Sequence, residues 1–397
     1  MRSLSEFALF GGKPAFSTDV PVGQFYFPSR ERYEKAMKGI FGRRYYTSQG
    51  PLAEHLEARL QQFFGVRNVV CVTNATIGLI MSAAALGLSG KVLLPAWTFI
   101  ASAQSLVWAG LEPVFCDIDP RTQQLSLTHV EQRLKAGDIN AVLGVHLWGG
   151  ACNPVELEEL SKHYDVTLYF DSAHAFGCEV GQLPVGTFGR LEVFSFHATK
   201  VLSATEGGCI CTNDDNLADT LRTMRSYHVP RRMVVAKTAN GRLSEAQAAV
   251  ALMSLDDFPE NRANNEALHF LYTSLLRAVP GLTVLQPYGV SRSNYQNLVC
   301  QVDAEQFGIT RDDLLAVLKA EKIHARRYFY PAAHRSLPFI NTVAIPEGSL
   351  RHTEQAVRDT LQLPLGAMVS PADVTRICET LADVQRLSAA IKARLEK

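Results

Sequence analysis

The sequence predicts an α/β fold in which a mostly parallel central sheet is covered by helices on both faces, followed by a smaller α+β domain. Strand-like and helical segments alternate from about residue 50 to 225. The strand-like segments are continuously apolar, which is typical of strands buried on both faces. Because 397 residues exceed one ordinary core, we expect a large domain with an N-terminal arm at 1–255 and a small domain at 256–397.

In the first half of the chain a helix is predicted at 51–64, where Leu52, Leu56 and Leu60 recur at nearly helical period and Pro51 suits the first turn. A strand at 69–73 leads through a short polar segment into an apolar helix that ends near Gly87. The remaining predicted strands are 91–95, 112–117, 141–146, 167–171, 193–197 and 208–212.

The second half of the chain has a different order of predicted elements. A helix is predicted at 255–279, a strand at 299–303 and a helix at 311–322. A loop with aromatic residues and histidine follows at 328–334, and a final helix is predicted at 371–394. This order of elements indicates a separate α+β unit.

Composition excludes several classes of function. Lys plus Arg and Asp plus Glu each number 39, so the basic excess typical of nucleic-acid binders is missing. The eight cysteines form no Cys-x-x-Cys pair, which favours buried reduced thiols over a metal site or disulfides. We find neither a signal peptide nor an apolar run long enough for a membrane span. We therefore expect a cytoplasmic protein with no membrane or nucleic-acid partner and no metal.

Asp171 ends an apolar strand in the segment YFDSAH, 169–174. A buried carboxylate needs a cation or hydrogen-bond donors, and the protonated ring nitrogen of a pyridine cofactor would supply one. The alternative is a simple cap of the following helix.

Lys200 follows another buried strand in the segment SFHATK, 195–200. Partial burial lowers the pKa of an amine and makes it nucleophilic, so Lys200 is a candidate for covalent attachment to an aldehyde. Ser195 and His197 share one face of this predicted strand. The alternatives are an exposed surface lysine or, from Ser195, His197 and Asp171, a hydrolytic triad, which lacks the G-x-S-x-G turn.

Asn74, Ala75 and Thr76 lie between a strand and an apolar helix. Free backbone amides at a helix start, with the Thr76 hydroxyl, suit a single phosphate, although a plain helix cap fits equally. Neither a P-loop nor a dinucleotide motif is present. Taken together, the three segments describe one site with a phosphate cradle, an acid for a ring nitrogen and an amine for an aldehyde.

The chain resembles the DegT/DnrJ/EryC/StrS family of sugar aminotransferases over nearly its whole length. The matching segments are TSQGP (47–51), NAT (74–76), PAWTF (95–99), EPVFCD (112–117), GVHLWG (144–149), FDSAH (170–174), SFHATK (195–200), EGG (206–208), NGRLSE (240–245) and LPL (363–365). The resemblance implies a fold-type I enzyme that uses pyridoxal 5′-phosphate.

The resemblance also implies roles for individual residues. Lys200 would bond to the cofactor aldehyde and Asp171 would face the ring nitrogen. The expected cofactor-binding residues are Asn74, Ala75, Thr76, Phe99, Asp171, His174, Ser195, Lys200 and Asn240, the last reaching the other subunit of a homodimer with shared sites. The expected substrate-binding residues are Thr47, Ser48, His197, Arg242, Tyr330 and His334, with help from Arg231 and Arg232 unless these are only solvated surface.

Within the family, the sequence around Lys200 and Arg242 is most similar to that of enzymes that aminate C4 of dTDP-4-keto-6-deoxyglucose with glutamate as donor. A related branch of dehydratases carries His at the lysine position, so Lys200 favours amino transfer. Amination at C3 of another nucleotide sugar and a non-catalytic regulator that binds the cofactor remain alternatives. A role in O-antigen or other glycan biosynthesis is expected.

Overall fold

In the computed structural model, residues 1–47, 49–227, 237–341, 343, 345–346 and 348–395 are described. The elements of the first part are β1 (Val20–Pro21), α1 (Arg30–Arg43), α2 (Pro51–Phe64), β2 (Asn68–Val72), α3 (Ala75–Ala85), β3 (Lys91–Pro95), α4 (Ile100–Ala109), β4 (Glu112–Cys116), α5 (Leu127–Lys135), β5 (Ala141–Val145), α6 (Pro154–His163), β6 (Thr167–Asp171), β7 (Glu179–Val180), β8 (Leu183–Pro184), β9 (Glu192–Ser195), β10 (Gly208–Thr212) and α7 (Asp215–Ser226).

The central sheet of the described chain has seven strands in the order β2-β10-β9-β6-β5-β3-β4. The pairs β3–β4, β3–β5, β5–β6 and β6–β9 are parallel, whereas β10 runs antiparallel to both β9 and β2. The predicted mostly parallel sheet is thus confirmed, with one strand reversed. As a result, the carboxyl ends of β2, β3, β5, β6 and β9 meet at one edge.

Helices cover both faces of this sheet, as strand β2 illustrates. Val70 and Val72 pack in one apolar cluster with Leu79 of α3. Val69 and Cys71, which point to the opposite face, pack in another cluster with Leu56 and Leu60 of α2. Because helices cover both faces, each of the positions 69–72 of the strand carries an apolar residue.

The second part contains α8 (Glu245–Leu276), β11 (Leu282–Val284), β12 (Leu298–Val302), α9 (Ala304–Phe307), α10 (Arg311–Ala320), β13 (Ile323–His324), α11 (Arg351–Asp359), β14 (Thr360–Leu363), α12 (Pro371–Arg386) and α13 (Ser388–Leu395). Strands β11, β12 and β14 form an antiparallel sheet. Its apolar cluster also takes in Phe7 and Phe16 from the start of the chain.

Several predicted boundaries differ from the observed ones. Helix α8 begins ten residues before the predicted 255, because Ser244 and Gln247 form a capping box there. The predicted final helix is divided at Leu387 into α12 and α13. Strand β9 ends at Ser195 rather than at His197. The proposed domain boundary at residue 255 falls inside α8 and stays a prediction.

All eight cysteines are free and buried. Among the described residues, none of the helices combines the length and the apolarity that a bilayer crossing requires.

Candidate active site

A cavity of about 240 Å³ opens where the carboxyl ends of the sheet strands meet. Such an edge is the usual ligand site of an open parallel sheet. The residues that the sequence predicts for the site and that line this cavity are Asn74, Ala75, Thr76, Phe99, Asp171, His174, Ser195, His197 and Lys200. Nine residues from four separate segments are therefore brought together by the fold.

The phosphate cradle lies at the N-terminus of α3. The Asn74 side chain accepts a hydrogen bond from the Ile77 amide at 2.9 Å, so this residue caps the helix. Gly208 of β10 passes so close that an added Cβ would lie 3.0 Å from the Ala75 nitrogen. The amides of the first turn, together with the Thr76 and Ser195 side chains in the cavity wall, suit a single phosphate.

Asp171 is a buried carboxylate at the end of β6. Its Oδ2 accepts a 2.7 Å hydrogen bond from the Ser102 hydroxyl, and its Oδ1 accepts one from the Ala173 amide at 3.2 Å. Burial raises the pKa of Asp171, while the two donors and the charge of Lys200 oppose that rise. A cationic ring nitrogen in the cavity would complete the partners that a buried carboxylate requires.

Lys200 follows β9 and faces the same cavity. Its side chain is only half-buried because it borders the open space. Dense packing around the amine lowers its pKa to about 8, against the opposing charge of Asp171. A substantial neutral fraction near physiological pH is what nucleophilic attack on an aldehyde requires.

His174 belongs to an aromatic wall of the cavity that Tyr328 and Phe329 share. Its ring lies 6.3 Å from Tyr328 and 6.2 Å from Phe329, nearly parallel to both. Burial and the charge of Lys200 lower the pKa of His174 well below its usual range, so the imidazole is neutral. Its buried Nδ1 has no hydrogen-bond partner in the described part of the chain.

Gln123 bonds to two tryptophans that pack against this wall, Trp97 on Phe329 and Trp148 on both His174 and Phe329. Its Oε1 accepts hydrogen bonds from the indole nitrogens of Trp97 and Trp148, both at 3.1 Å. Its Nε2 donates to the Thr360 hydroxyl at 2.7 Å, which ties the wall to β14. The first and second parts of the chain are thereby joined directly behind the cavity.

Some predicted site residues do not line this cavity. Thr47, Asn240 and Arg242 lie outside it, and the Arg242 Nε donates to Asn240 Oδ1 at 3.1 Å. Tyr330 borders an adjoining cleft. Ser48, Arg231 and Arg232 lie outside the described residues.

His334 is directed elsewhere as well. It is buried, with its Nε2 2.8 Å from Glu354 Oε1, and it lines a third cleft together with Glu354. His197, by contrast, does face the cavity, and its ring nitrogens approach the Thr199 hydroxyl and the Glu206 carboxylate. The Ser195 hydroxyl accepts from the His197 backbone rather than from its ring, so these residues form no hydrolytic pair.

Sequence reasoning missed several cavity residues. Glu206 and Arg326 also line the cavity, and Ser102 donates to Asp171 from within α4. Tyr328, from the aromatic loop noted at 328–334, lines it as well. The expectation that site residues lie at the carboxyl ends of the sheet strands could not identify Ser102 or Arg326. Ser102 lies inside a helix, and Arg326 lies in the second part of the chain. Glu206 was within reach, since it belongs to the EGG segment that the resemblance had matched.

The residues present fit pyridoxal phosphate. A helix N-terminus can hold the phosphate, a buried carboxylate can face the ring nitrogen, and an amine with a lowered pKa can meet the aldehyde. The unpartnered His174 Nδ1 adds a buried polar atom that a bound group could satisfy.

Comparisons with known proteins agree with this geometry. The chain is 31% identical, over 94% of its length and 100% of the relative, to dTDP-4-amino-4,6-dideoxy-D-glucose transaminase of Shigella dysenteriae. It is 26% identical, over 91% of its length and 98% of the relative, to the Escherichia coli protein of that name.

Solved structures of aminotransferases are also similar to this chain. DesI, analysed in the presence of its TDP-sugar product, superposes with a TM-score of 0.94 at 36% identity over 100% of both chains. DesV of S. venezuelae, in complex with a ketimine intermediate, superposes with a TM-score of 0.83 at 26% identity over 90% of this chain and 95% of its own. The model of the DegT/DnrJ/EryC1/StrS aminotransferase family matches residues 29–382. The chain therefore belongs to that family and is an aminotransferase that uses pyridoxal 5′-phosphate.

Proposed function

We propose that this aminotransferase moves an amino group from glutamate to dTDP-4-keto-6-deoxyglucose and forms dTDP-4-amino-4,6-dideoxyglucose. The observation that carries the proposal is the meeting of Lys200, Asp171 and the α3 N-terminus in one cavity. The names of the Shigella dysenteriae and Escherichia coli relatives and the TDP-sugar product of DesI support the choice of sugar.

Bound pyridoxal phosphate would supply an aldehyde that bonds to amines and a ring that withdraws electrons when protonated. The amides of Ala75 and Thr76, with the Thr76 and Ser195 hydroxyls, would hold the phosphate, and Phe99 would stack on the ring. Asp171 would keep the proton on the ring nitrogen. Lys200 Nζ would be the group that meets the aldehyde, and it would act as the general acid and base that moves a proton at C4 of the sugar.

His174 is proposed to lie beside the cofactor hydroxyl. As a neutral imidazole with an unpartnered Nδ1, it can donate or accept one hydrogen bond there without adding charge. His197 is proposed to contact the sugar, since its ring faces the same cavity as Lys200.

We propose further that the enzyme is a homodimer with shared sites. Asn240 is exposed and lies outside the cavity of its own chain, with its Oδ1 accepting from Arg242. Its Nδ2 would meet the phosphate of the other subunit's cofactor, with Arg242 near the sugar diphosphate. Thr47, Ser48, Tyr330 and His334 stay predictions as sugar contacts. The reaction is proposed to occur in the cytoplasm, where buried free thiols stay reduced, and to serve O-antigen or other glycan biosynthesis.

The test is an assay of the purified protein with glutamate and dTDP-4-keto-6-deoxyglucose, read by product mass and NMR. We expect an amine at C4, and Lys200→Ala should abolish turnover because no amine remains to move the proton. An amine at C3 would identify a different sugar aminotransferase. No transfer from glutamate to any keto sugar in a panel of nucleotide keto sugars would favour a regulator, and normal turnover by Lys200→Ala would overturn the mechanism.

A further inference from the structure

Lys200 lies in a short loop after β9, and the residues on either side of it are bonded to distant parts of the chain. On one side, the Thr199 carbonyl accepts a hydrogen bond from the Gln24 amide at 3.2 Å. On the other side, the Val201 amide donates to Gln296 Oε1 at 3.1 Å. The loop is therefore held at both positions that flank Lys200.

The bond between Val201 and Gln296 is made away from water. Val201 and Leu202 are buried in the apolar cluster that also holds Leu56 and Leu60 of α2. A backbone amide in such surroundings costs free energy unless an acceptor meets it. Because the Val201 amide can only donate, the oxygen of the buried Gln296 side chain must face the loop.

Gln296 is itself held by other buried polar groups. Gln24 Nε2 donates to the Gln296 carbonyl at 2.8 Å, and Gln24 Oε1 accepts from Asn265 Nδ2 at 2.8 Å. The Gln296 amide donates to Asn294 Oδ1 at 3.0 Å. All of these side chains are buried. The bonds join the start of the chain, helix α8 and the segment before β12 into one polar support for the loop.

Asn294 extends this support to the loop that carries His174. Its Nδ2 donates to the carbonyls of His174 and Phe176, both at 3.0 Å. Within the described part of the chain, the cavity lining includes no residue of the segment 293–296. The segment therefore acts on the cavity only through the main chain of the residues that it holds.

We propose that Gln296 is a positioning residue for Lys200, because its bond to Val201 keeps the lysine packed against the cavity instead of turned toward water. This inference rests on the proposed role of Lys200 in amino transfer. Close packing lowers the pKa of the Lys200 amine to about 8, against the charge of Asp171. Without the bond the loop gains freedom, the amine gains water, and its pKa should rise toward the ordinary 10.5.

The first measurement is the pH dependence of Lys200 acetylation in the cofactor-free, full-length chain. Acetic anhydride acylates neutral amines, so the midpoint of the labelling rate, read by mass spectrometry of the peptide that contains Lys200, reports the pKa of the amine. Gln296→Met keeps the length of the side chain and removes the acceptor, and we expect the midpoint to rise by about one pH unit. The ionisable groups that line the cavity with Lys200 are unchanged in this variant: His146, Asp171, His174, His197, Glu206, Arg326 and Tyr328.

The second measurement is deuterium exchange of the peptide that spans residues 198–203. In Gln296→Met the Val201 amide should exchange about fivefold faster than in the wild type, as expected for the loss of one hydrogen bond. Gln296→Glu keeps an oxygen at the same reach and replaces only Nε2, which has no partner in the described part of the chain. Exchange in Gln296→Glu should therefore stay within about twofold of the wild type.

Gln301→Met is the matched control, because Gln301 lies farther along the chain in β12 and donates to the Pro120 carbonyl at 3.3 Å. It should leave the Lys200 midpoint and the exchange of residues 198–203 unchanged. If Gln296→Met does not fold, Gln296→Asn, whose oxygen is drawn back by the length of a methylene group, is measured in its place with the same expectations.

Three results would each overturn the inference: a wild-type midpoint in the folded Gln296 variant without the acceptor, an equal rise of the midpoint in Gln301→Met, or exchange in Gln296→Glu as fast as without the acceptor. A purely structural role for Gln296 would lower the melting temperature and leave the Lys200 midpoint where it is. Neither measurement uses a sugar or an amino donor, so a failed transfer assay leaves the result for Gln296 readable.

Discussion

At the scale of single residues, the cavity combines charged groups whose removal from water would be unfavourable for each of them alone. The Asp171 carboxylate is buried, and the Thr98 and Ser102 hydroxyls, 2.8 Å apart, form a chain of donors toward it. The Lys200 amine is packed closely enough that its pKa falls to about 8. Such perturbed pairs are characteristic of active sites, where binding of the missing partner relieves the cost.

The lowered pKa of Lys200 predicts a pH-dependent stability of the cofactor-free protein. Its folded value of about 8 lies below the ordinary 10.5, so between these values the unfolded chain binds more protons and stability rises with pH. Below pH 8 the folded protein bears the full cost of keeping this closely packed amine in its charged form. Lys200→Met should therefore melt at a higher temperature than the wild type at pH 7, and the difference should shrink toward pH 10.5.

Thermal unfolding of the cofactor-free wild type and Lys200→Met between pH 7 and pH 10.5 checks the prediction. Titratable groups that both proteins share contribute equally to the two melting temperatures, so their effect cancels in the difference. The exposed Lys162 offers a control, because Lys162→Met should show no such trend. A melting difference that stays constant with pH would contradict the account of the Lys200 amine.

At the scale of elements, the starts of helices position the loops near the site. Asn74 caps α3 with its own side chain, but α2 begins after Gly50 and has no side-chain cap of its own. Instead, the fully buried Glu245 carboxylate accepts from the Leu52 and Ala53 amides, at 3.0 and 2.9 Å, and lies 3.5 Å from Arg43. The glutamate of the matched NGRLSE segment therefore has a structural role at the N-terminus of another helix.

Replacing this cap should destabilise the protein markedly. Glu245→Ala leaves two amides without their charged acceptor and Arg43 without its partner, so we expect a loss of about 3 kcal/mol in the free energy of unfolding. Glu54, in the first turn of α2, is exposed, and Glu54→Ala should cost no more than about 1 kcal/mol. Denaturant unfolding of the cofactor-free variants compares the two, and equal losses would refute a special role for Glu245.

At the scale of the whole molecule, the start of the chain is built into the second part. Phe7 and Phe16 are buried in the C-terminal apolar cluster. The fully buried Glu321 carboxylate accepts from the Ala8 and Ala15 amides, each at 2.7 Å, and from Arg2 Nη1 at 2.8 Å. A single side chain thus fastens three points of the N-terminal segment.

Loss of this anchor should release the N-terminal segment. Glu321→Ala leaves two part-buried amides without their acceptor, and we expect chymotrypsin to cleave after Phe7 or Phe16 much faster than in the wild type. Mass spectrometry of the fragments over time measures the rate. Glu305→Ala, at an exposed carboxylate, should cleave at the wild-type rate, and equal protection of Glu321→Ala would exclude the anchoring role.

The sequence alone was sufficient for elements whose signals are local. Helix α2 has both of its predicted bounds, because Pro51 and the period of Leu52, Leu56 and Leu60 are read within one segment. The doubly covered sheet followed from continuously apolar strands. Asp171 and Lys200 could then be assigned to one edge, since the carboxyl ends of parallel strands converge there.

Only the tertiary structure decided which distant side chains meet. Arg326 lines the cavity, Ser102 donates to Asp171, and His334 lies 2.8 Å from Glu354 at another cleft. Each of these contacts joins segments whose spacing in the chain carries no period or motif, so it depends on how helices and sheets pack. Local patterns specify the elements and the edge where chemistry occurs, whereas long-range packing specifies the partners of each charge.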